Sequence, residues 1–326
     1  MPSTAPTTGV EHLEQIREAA QRIRGHVRRT PLLWCDLGDG VMVKPESLQL
    51  TGSFKARGAF NAVLSLLERE PDIAGVITHS SGNHGQAIAC AAKRAGLPAT
   101  IVVPEGVTPA KVAGIRSFGA TVVSDGVDYD NREEIAEGIA REQGLRLIHP
   151  YDDWDVVHGA GTVGLEILED MPAPGVVVVP IGGGGQISGI ALALSVLSPE
   201  TVLVGVEPES AADAAESLRT GTLHTLQSDP ATLAEGVKSK SIGRRNFEVI
   251  VTDALVRDIV TVSEDELTAA LRVAWTTLKL AIEPTGALAL AAYLTGRVPA
   301  GTAEHPTVLV LSGGNFDPAT VAALLS

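Results

Sequence analysis

Short β-rich runs alternate with longer helical stretches along most of this chain, and this alternation limits its fold more than any other feature. Four β-rich runs lie at residues 73–78, 99–103, 120–124 and 145–148. The spacing of apolar residues between them predicts helices near residues 84–96, 108–117 and 130–142. Strands that alternate with helices form a parallel sheet with helices on both faces. The sequence up to residue 150 therefore predicts one such unit.

A second series of the same kind follows residue 150. Strands are predicted at residues 176–179, 201–206 and 307–311. The four valines of the first are typical of a strand buried on both faces. Helices are predicted near residues 186–198, 264–280 and 284–295, and a further helix precedes the first series near residues 11–25. We expect an α/β fold of two tightly packed, open parallel-sheet lobes with helices on both faces, and a site at the carboxyl ends of the strands.

The charge balance and the cysteine content limit the partners and the compartment. The chain carries 25 Lys and Arg against 39 Asp and Glu, a formal net charge of −14. A broadly negative surface disfavours nucleic acid and anionic lipid as main partners. Cys35 and Cys90 are the only cysteines, and neither a secretory signal nor an apolar run long enough to span a bilayer is visible. We therefore expect a cytoplasmic protein with two reduced thiols and no membrane partner.

Three loops rich in small polar residues each follow a predicted strand. They are residues 80–85 (S-S-G-N-H-G), 182–185 (G-G-G-G) and 312–315 (S-G-G-N). The carboxyl ends of parallel strands share one edge of a sheet, so the loops indicate a composite site. The tetraglycine is the strongest candidate for an anion cradle, because its backbone N–H groups can converge on a phosphate before the next helix. A flexible turn is the alternative. The dinucleotide fingerprint, the P-loop, the G-x-S-x-G elbow and the H-E-x-x-H pair are not found.

The decisive segment is residues 51–59, T-G-S-F-K-A-R-G-A. Taken alone, Lys55 could be a solvated charge. In order along the chain, S-F-K-x-R-G-A, S-S-G-N-H-G, G-G-G-G and S-G-G-N resemble the fold-type II pyridoxal-phosphate (PLP) family of serine/threonine dehydratases and serine racemase. The resemblance runs from Arg29 to Asn315. It implies a tryptophan synthase β-like architecture, with residues 1–52 and 151–326 as a large PLP-binding domain and residues 53–150 as a small, mobile substrate-binding domain.

The resemblance also implies roles for the residues of these motifs. Lys55 would hold PLP as a Schiff base and then act as the base at the substrate Cα. Ser312 would face the pyridine nitrogen, which a hydroxyl cannot keep protonated as an aspartate would. Such an environment favours elimination of a β-leaving group over transamination. Further cofactor contacts would come from Phe54, Asn83 and Glu283 near the ring and from the phosphate cradle of Gly182, Gly183, Gly184 and Gly185.

On the substrate side, Ser80, Ser81 and His84 resemble the loop that binds the substrate carboxylate, and weaker local matches add Arg132 and Ser239. Ser81 also matches the position of the racemase's second acid/base, on the cofactor face opposite Lys55. Racemisation needs a proton group on each face, whereas dehydration needs one base and a route for hydroxide to leave. A plain hydrogen-bonding role is equally open to Ser81, so this residue does not decide the reaction.

The segment at residues 207–213, E-P-E-S-A-A-D, resembles the family's divalent cation site. Its ligands would be the carboxylates of Glu207 and Asp213 and the backbone carbonyl of Ala211. Oxygen ligands of this kind suit Mg²⁺, Mn²⁺ or Ca²⁺. The alternative for two carboxylates near a helix start is a capping or solvated role.

The predicted activity is that of a PLP-dependent dehydratase that converts L-serine or L-threonine to a 2-oxo acid and ammonia. Serine racemase and 3-hydroxyaspartate dehydratase remain alternatives. At the position of Tyr151, the chain resembles bacterial dehydratases or hydroxyaspartate enzymes more than it resembles the animal racemase. Lys240 looks like a one-residue insertion near the substrate. A non-catalytic amino-acid- or phosphate-binding module on this fold would be expected to lack Lys55 or Ser312. The resemblance alone implies a homodimer.

Overall fold

The computed structural model describes residues 9–80 and 82–325. Within this part the strands are β1 (Leu33–Trp34), β2 (Val41–Pro45), β3 (Val76–His79), β4 (Ala99–Val102), β5 (Thr121–Val123), β6 (Arg146–Leu147), β7 (Val176–Pro180), β8 (Val202–Pro208), β9 (Asp258–Val262) and β10 (Thr307–Leu311). The helices are α1 (Gly9–Arg22), α2 (Lys55–Arg69), α3 (Asn83–Ala95), α4 (Pro109–Arg116), α5 (Arg132–Gln143), α6 (Trp154–Asp170), α7 (Gly185–Leu197), α8 (Asp213–Thr220), α9 (Arg244–Phe247), α10 (Glu264–Thr276), α11 (Leu288–Leu294) and α12 (Pro318–Leu325). None of these helices is long and apolar enough to cross a membrane.

The strands form two sheets. The larger has the order β1-β2-β10-β7-β8-β9 and the smaller the order β5-β4-β3-β6. Every pairing is parallel except that of β1 with β2. The predicted α/β class with parallel sheets is confirmed. Strand β2 lies beside β10, so the larger sheet draws on both ends of the chain, whereas the smaller sheet uses residues 76–147 alone.

Apolar side chains fill both faces of the larger sheet. One cluster packs α1, α6 and α7 against it and includes Ile16, Val177 and Ile190. A second cluster, with Val178 and Leu288, packs α10 and α11 on the other face. The valines of β7 alternate between these clusters and are all buried, as predicted for a strand covered on both sides.

The structure adds elements that the apolar pattern does not predict. Strand β2 contains Lys44, a charge that breaks the apolar run, and β1 has two residues. Helix α6 contains glycines, whose low helix propensity argues against predicting a helix there, yet it packs closely on α7. A Cβ at Gly161 would lie 2.8 Å from the carbonyl oxygen of Gly189, so glycine is needed where the two helices touch. The predicted helix at residues 264–280 ends earlier, at Thr276.

A buried network of charges fixes the start of α2. The Arg57 guanidinium donates to Glu46 at 2.8 Å and to Glu166 of α6 at 2.7 Å. Glu166 also accepts from the Lys44 amine of β2 at 2.7 Å. The two carboxylates neutralise the two cations, so the network avoids the cost of an unpaired buried charge. Because α2 begins at Lys55, the network holds that lysine at a fixed place between β2 and α6.

Candidate active site

Lys55 lies where the start of α2 meets the loop after β10. Residue Ser53 forms an antiparallel bridge with Gly313, and the backbone N–H of Phe54 donates to the Ser312 carbonyl at 3.1 Å. Lys55 and Ser312 both line one cavity of about 170 Å³. The lysine segment and the third polar loop of the sequence therefore meet at a single site.

Burial governs the chemistry of the Lys55 amine. Its Nζ donates to the carbonyl of Pro150 at 2.8 Å and lies 5.1 Å from the centre of the Phe54 ring. Burial lowers the pKa of Lys55 to about 8, because the charged amine loses its hydration. A large fraction of this amine is therefore neutral, and able to act as nucleophile or base, slightly above neutral pH.

The tetraglycine forms the wall of a smaller adjoining cavity of about 40 Å³, which Lys55 and Phe54 also line. Side chains would not fit in this loop: a Cβ at Gly183 would lie 2.1 Å from the Tyr151 ring, and Gly184 has a φ of +90°. Helix α7 begins at Gly185, so its positive end faces the cavity. The Gln186 amide nitrogen is buried there without a protein partner. These features suit a bound phosphate.

A network of amide and carboxyl side chains includes Asn83 and Glu283, which both line the larger cavity. The Asn83 amide donates to Glu283 Oε1 at 2.7 Å, and the Asn315 amide donates to Asn83 Oδ1 at 2.8 Å and to the Thr51 carbonyl at 2.6 Å. Burial raises the pKa of Glu283 to about 7. The network joins the start of α3 to the loop after β10 and fixes the orientation of Asn83.

The remaining predicted substrate residues face the same cavity. Ser80, His84, Arg132 and Ser239 all line it. His84 is buried with neither ring nitrogen bonded to a protein group, and burial and the nearby Lys55 hold its pKa well below the ordinary value. The Ser239 hydroxyl is also buried without a partner. Ser81 lies outside the described residues.

Comparison with known proteins agrees with this geometry. Residues 23–313 match the family described as "Pyridoxal-phosphate dependent enzyme". The chain belongs to this family. Serine racemase from Arabidopsis thaliana is 41% identical over 93% of the chain and 92% of the relative. L-threo-3-hydroxyaspartate ammonia-lyase from Pseudomonas sp is 41% identical over 94% of the chain and 96% of the relative. The crystal structure of T.th. threonine deaminase superimposes with a TM-score of 0.87 at 44% identity, over 94% of this chain and 98% of that one.

The chain is therefore a PLP-dependent enzyme of fold type II and of the ammonia-lyase or racemase type. The family assignment rules against the non-catalytic binding module considered from the sequence. The residues present suit PLP. A buried amine with a lowered pKa, a glycine loop that excludes side chains and an unbonded amide at the helix start lie together around adjoining cavities. The roles of individual residues remain predictions.

The active site of this PLP-dependent enzyme also uses residues that the sequence motifs do not include. Besides the predicted residues, its cavity is lined by His79, Lys111, Tyr129, Pro150, Tyr151, Glu235, Gly236, Lys238 and Thr285. His79 could have been found, because it ends β3 directly before the serine loop. Lys111 and Lys238 carry no such signal. The sequence around an isolated lysine does not show whether its side chain lies at the protein surface or lines a cavity.

The predicted cation site of the PLP-dependent enzyme holds two buried carboxylates. Glu207 accepts from the backbone N–H groups of Ala214 and Ala215 at 3.0 and 2.8 Å, whereas Asp213 Oδ2 is buried without a partner. Burial raises the pKa of Asp213 to about 7, and burial together with Asp213 raises the pKa of Glu207. Two like charges in this position suit a bound cation, which would neutralise them. Ala211 is buried in the turn between them.

Proposed function

We propose that this chain is an ammonia-lyase that converts L-serine or L-threonine to the corresponding 2-oxo acid and ammonia. The observation that supports it is one cavity lined both by Lys55, with its lowered pKa, and by the Ser312 hydroxyl. A lysine that is partly neutral near pH 8 can remove a proton at Cα. A hydroxyl in place of an acidic residue at Ser312 favours β-elimination over transamination.

When bound, PLP withdraws electrons from Cα and makes its proton acidic. Gly182, Gly183, Gly184 and Gly185 would hold its phosphate, Phe54, Asn83 and Glu283 would lie near its ring, and Ser312 would face its nitrogen. Lys55 would first hold the cofactor and then take the Cα proton, which can leave with the β-hydroxyl as water. Ser80 and His84 would orient the substrate carboxylate so that Cα lies against the Lys55 amine.

A second candidate substrate is L-threo-3-hydroxyaspartate, the substrate named for the Pseudomonas relative. Three cationic side chains besides Lys55 line the cavity: Lys111, Arg132 and Lys238. The Arg132 guanidinium lies 5.2 Å from the centre of the Tyr129 ring, and in the described part of the chain no carboxylate accepts a hydrogen bond from it. An unpaired guanidinium suits a second substrate carboxylate. Ser239 would help to close the site over the substrate.

Racemisation of serine is the remaining activity of this class. It would need Ser81 as a second proton group on the face opposite Lys55. The serine racemase relatives support this candidate. The sequence identity with this chain is 41% for the relative from Arabidopsis thaliana and 40% for the relative from Homo sapiens.

We extend the proposal to a divalent cation held by Glu207, Asp213 and the Ala211 carbonyl, to a homodimer and to a cytoplasmic location. The two buried carboxylates support the cation. Free Cys35 and Cys90 suit a reducing compartment. The dimer rests on the family resemblance, and light scattering of the purified protein tests it.

The test of the proposed activity is to incubate the PLP-loaded protein with Mg²⁺ and, separately, L-serine, L-threonine and L-threo-3-hydroxyaspartate. The 2-oxo acid and the D-amino acid are measured together. Dominant oxo acid from serine or threonine supports the proposal. A preference for hydroxyaspartate that Arg132→Met abolishes, with serine turnover retained, would move the assignment to the second candidate. Dominant D-serine would replace the lyase by a racemase.

A further inference from the structure

Three ionisable side chains meet beside the active site without forming part of the motifs. They are His79 at the end of β3, Glu133 in the first turn of α5 and His149 after β6. Their potential ligand atoms all lie within 4.8 Å of one another. The His149 Nε2 lies 3.6 Å from Glu133 Oε1, and the rings of His79 and His149 meet edge to face with centres 5.1 Å apart.

The hydrogen bonds of His149 decide what this cluster can do. Its Nδ1 accepts from the backbone N–H groups of Asp152 at 2.9 Å and Tyr151 at 3.3 Å. Both groups need a lone pair on Nδ1, so the neutral ring carries its hydrogen on Nε2, which faces Glu133. A metal ion on Nε2 would move that hydrogen to Nδ1, against two N–H donors. The cluster is therefore arranged as a hydrogen-bonded cap of the turn, not as a metal site.

This turn, residues 149–152, touches both parts of the cofactor site. The Pro150 carbonyl accepts from the Lys55 amine at 2.8 Å. The Tyr151 ring fills the space that a side chain at Gly183 would need. The Asn246 amide bonds both the Tyr151 carbonyl, at 3.0 Å, and the Gly183 carbonyl, at 2.6 Å. A change in the conformation of the turn would therefore affect the positions of both Lys55 and the glycine loop.

We propose that His149 and Glu133 are positioning residues for the cofactor site. Glu133 holds His149 in the Nε2–H tautomer, His149 caps the turn through Nδ1, and the turn sets the relative positions of Lys55 and the glycine loop. The inference depends on the proposed lyase activity only in experiments that measure turnover. Binding of PLP to the apoprotein can be followed without any substrate, so it tests the inference independently of that activity.

Asparagine at position 149 can offer its Oδ1 near the place of Nδ1, so this substitution removes the imidazole ring and keeps a hydrogen-bond acceptor for the turn.

The experiment is a PLP titration of the apoprotein at one fixed pH for wild type, His149→Ala, His149→Asn and Glu133→Ala. Glu134→Ala is the matched control, because Glu134 is a neighbouring exposed carboxylate of α5. We expect His149→Ala to weaken PLP binding about tenfold, as loss of a hydrogen-bonded acceptor does. His149→Asn should stay within about twofold of wild type, because its Oδ1 can replace the acceptor. Glu133→Ala should fall between the two, and the control should match wild type.

Amide hydrogen exchange of the apoprotein gives a readout that does not depend on PLP. The N–H groups of Tyr151 and Asp152 should exchange faster in His149→Ala and near the wild-type rate in His149→Asn. Unchanged PLP affinity in His149→Ala, or a loss of affinity in His149→Asn as large as that in His149→Ala, would overturn the inference. If His149→Ala does not fold, Glu133→Ala and His149→Asn still decide it. Absence of turnover with all three amino acids would count against the proposed lyase and leave this inference standing.

Discussion

The backbone N–H of Phe54 donates to the carbonyl of Ser312 at 3.1 Å. This one bond joins the segment that presents the lysine to the serine predicted to face the cofactor ring, although the two are far apart in the sequence. It helps to set the distance between the lysine predicted to bind PLP and the serine predicted to face its ring. The bridge between Ser53 and Gly313 supports it from the neighbouring residues.

The lowered pKa of Lys55 predicts how PLP binding depends on pH. Only the neutral amine attacks the aldehyde of PLP, and burial lowers the pKa of Lys55 to about 8. The binding rate of the apoprotein should therefore rise through about pH 8 and level off well below the pKa of about 10.4 of an ordinary lysine. Stopped-flow absorbance measures this rate. Lys55→Ala should give no covalent cofactor signal at any pH, and a rate that still rises above about pH 10 would contradict the burial argument.

A side chain in the glycine loop should weaken the cofactor site. In Gly183→Ala the new Cβ would lie 2.1 Å from the Tyr151 ring, so the loop or the ring must move. Overpacking of this kind costs about 1–3 kcal/mol, so we expect PLP affinity to fall by about tenfold to a hundredfold. Fluorescence titration of the apoprotein measures it. Gly138→Ala in α5 is the control, because a Cβ there meets nothing within 4 Å. Equal affinity for the two variants would refute the prediction.

Divalent cations should stabilise the protein more at pH 8 than at pH 6. The folded pKa of Asp213 is raised to about 7 from 3.8, so its contribution to stability is present at low pH and is lost as the pH rises through 7. A bound cation offsets the repulsion between the ionised Asp213 and Glu207, and its benefit therefore grows as both carboxylates lose their protons. Thermal unfolding with Mg²⁺ or with EDTA at the two pH values measures the difference.

The controls for the cation prediction are Asp213→Asn and Glu207→Gln, which keep the shape of the site and remove charge. Both should lose most of the response to Mg²⁺ at pH 8. A cation effect of the same size in these variants would place the ion elsewhere in the molecule.

The ion pairs of two lysines beside the cavity predict a dependence on salt. The Lys240 amine lies 2.6 Å from an Asp130 carboxylate oxygen and 3.2 Å from an Asp229 carboxylate oxygen, and Lys111 pairs with Glu235 at the cavity wall. Salt screens exposed pairs of this kind. Lys240→Ala should raise KM for the amino acid about twofold to fivefold with little change in kcat, and it should reduce the response of KM to added salt.

Arg141→Ala is the control for the salt experiment, because it removes the exposed pair with Glu137 on α5 and does not line the cavity. If Lys240→Ala and the control respond to salt in the same way, the ion pairs of Lys240 with Asp130 and Asp229 do not influence substrate binding.

Sequence alone determined the class of fold and the cofactor of this protein. Strand and helix periods differ, so the alternation of runs predicts parallel sheets. The motifs around Lys55, Gly183 and Ser312 carry the resemblance to the PLP family, which implies a chemical requirement at each: an amine, a backbone free of Cβ atoms and a small polar group. Such requirements are visible in the order of residues. Helix α6 was missed because its glycines serve contact with α7, which no local pattern reveals.

Tertiary structure alone decided the electrostatics of the site. The lowered pKa of Lys55 comes from burial by segments distant in sequence, and the raised pKa of Asp213 comes chiefly from the same cause. The cap of the turn by His149, and the placing of Lys111 and Lys238 at the cavity, depend on which strands pair and which helices cross. Burial and contact are properties of the packed chain, so the residues they govern carry no distinguishing pattern in the sequence.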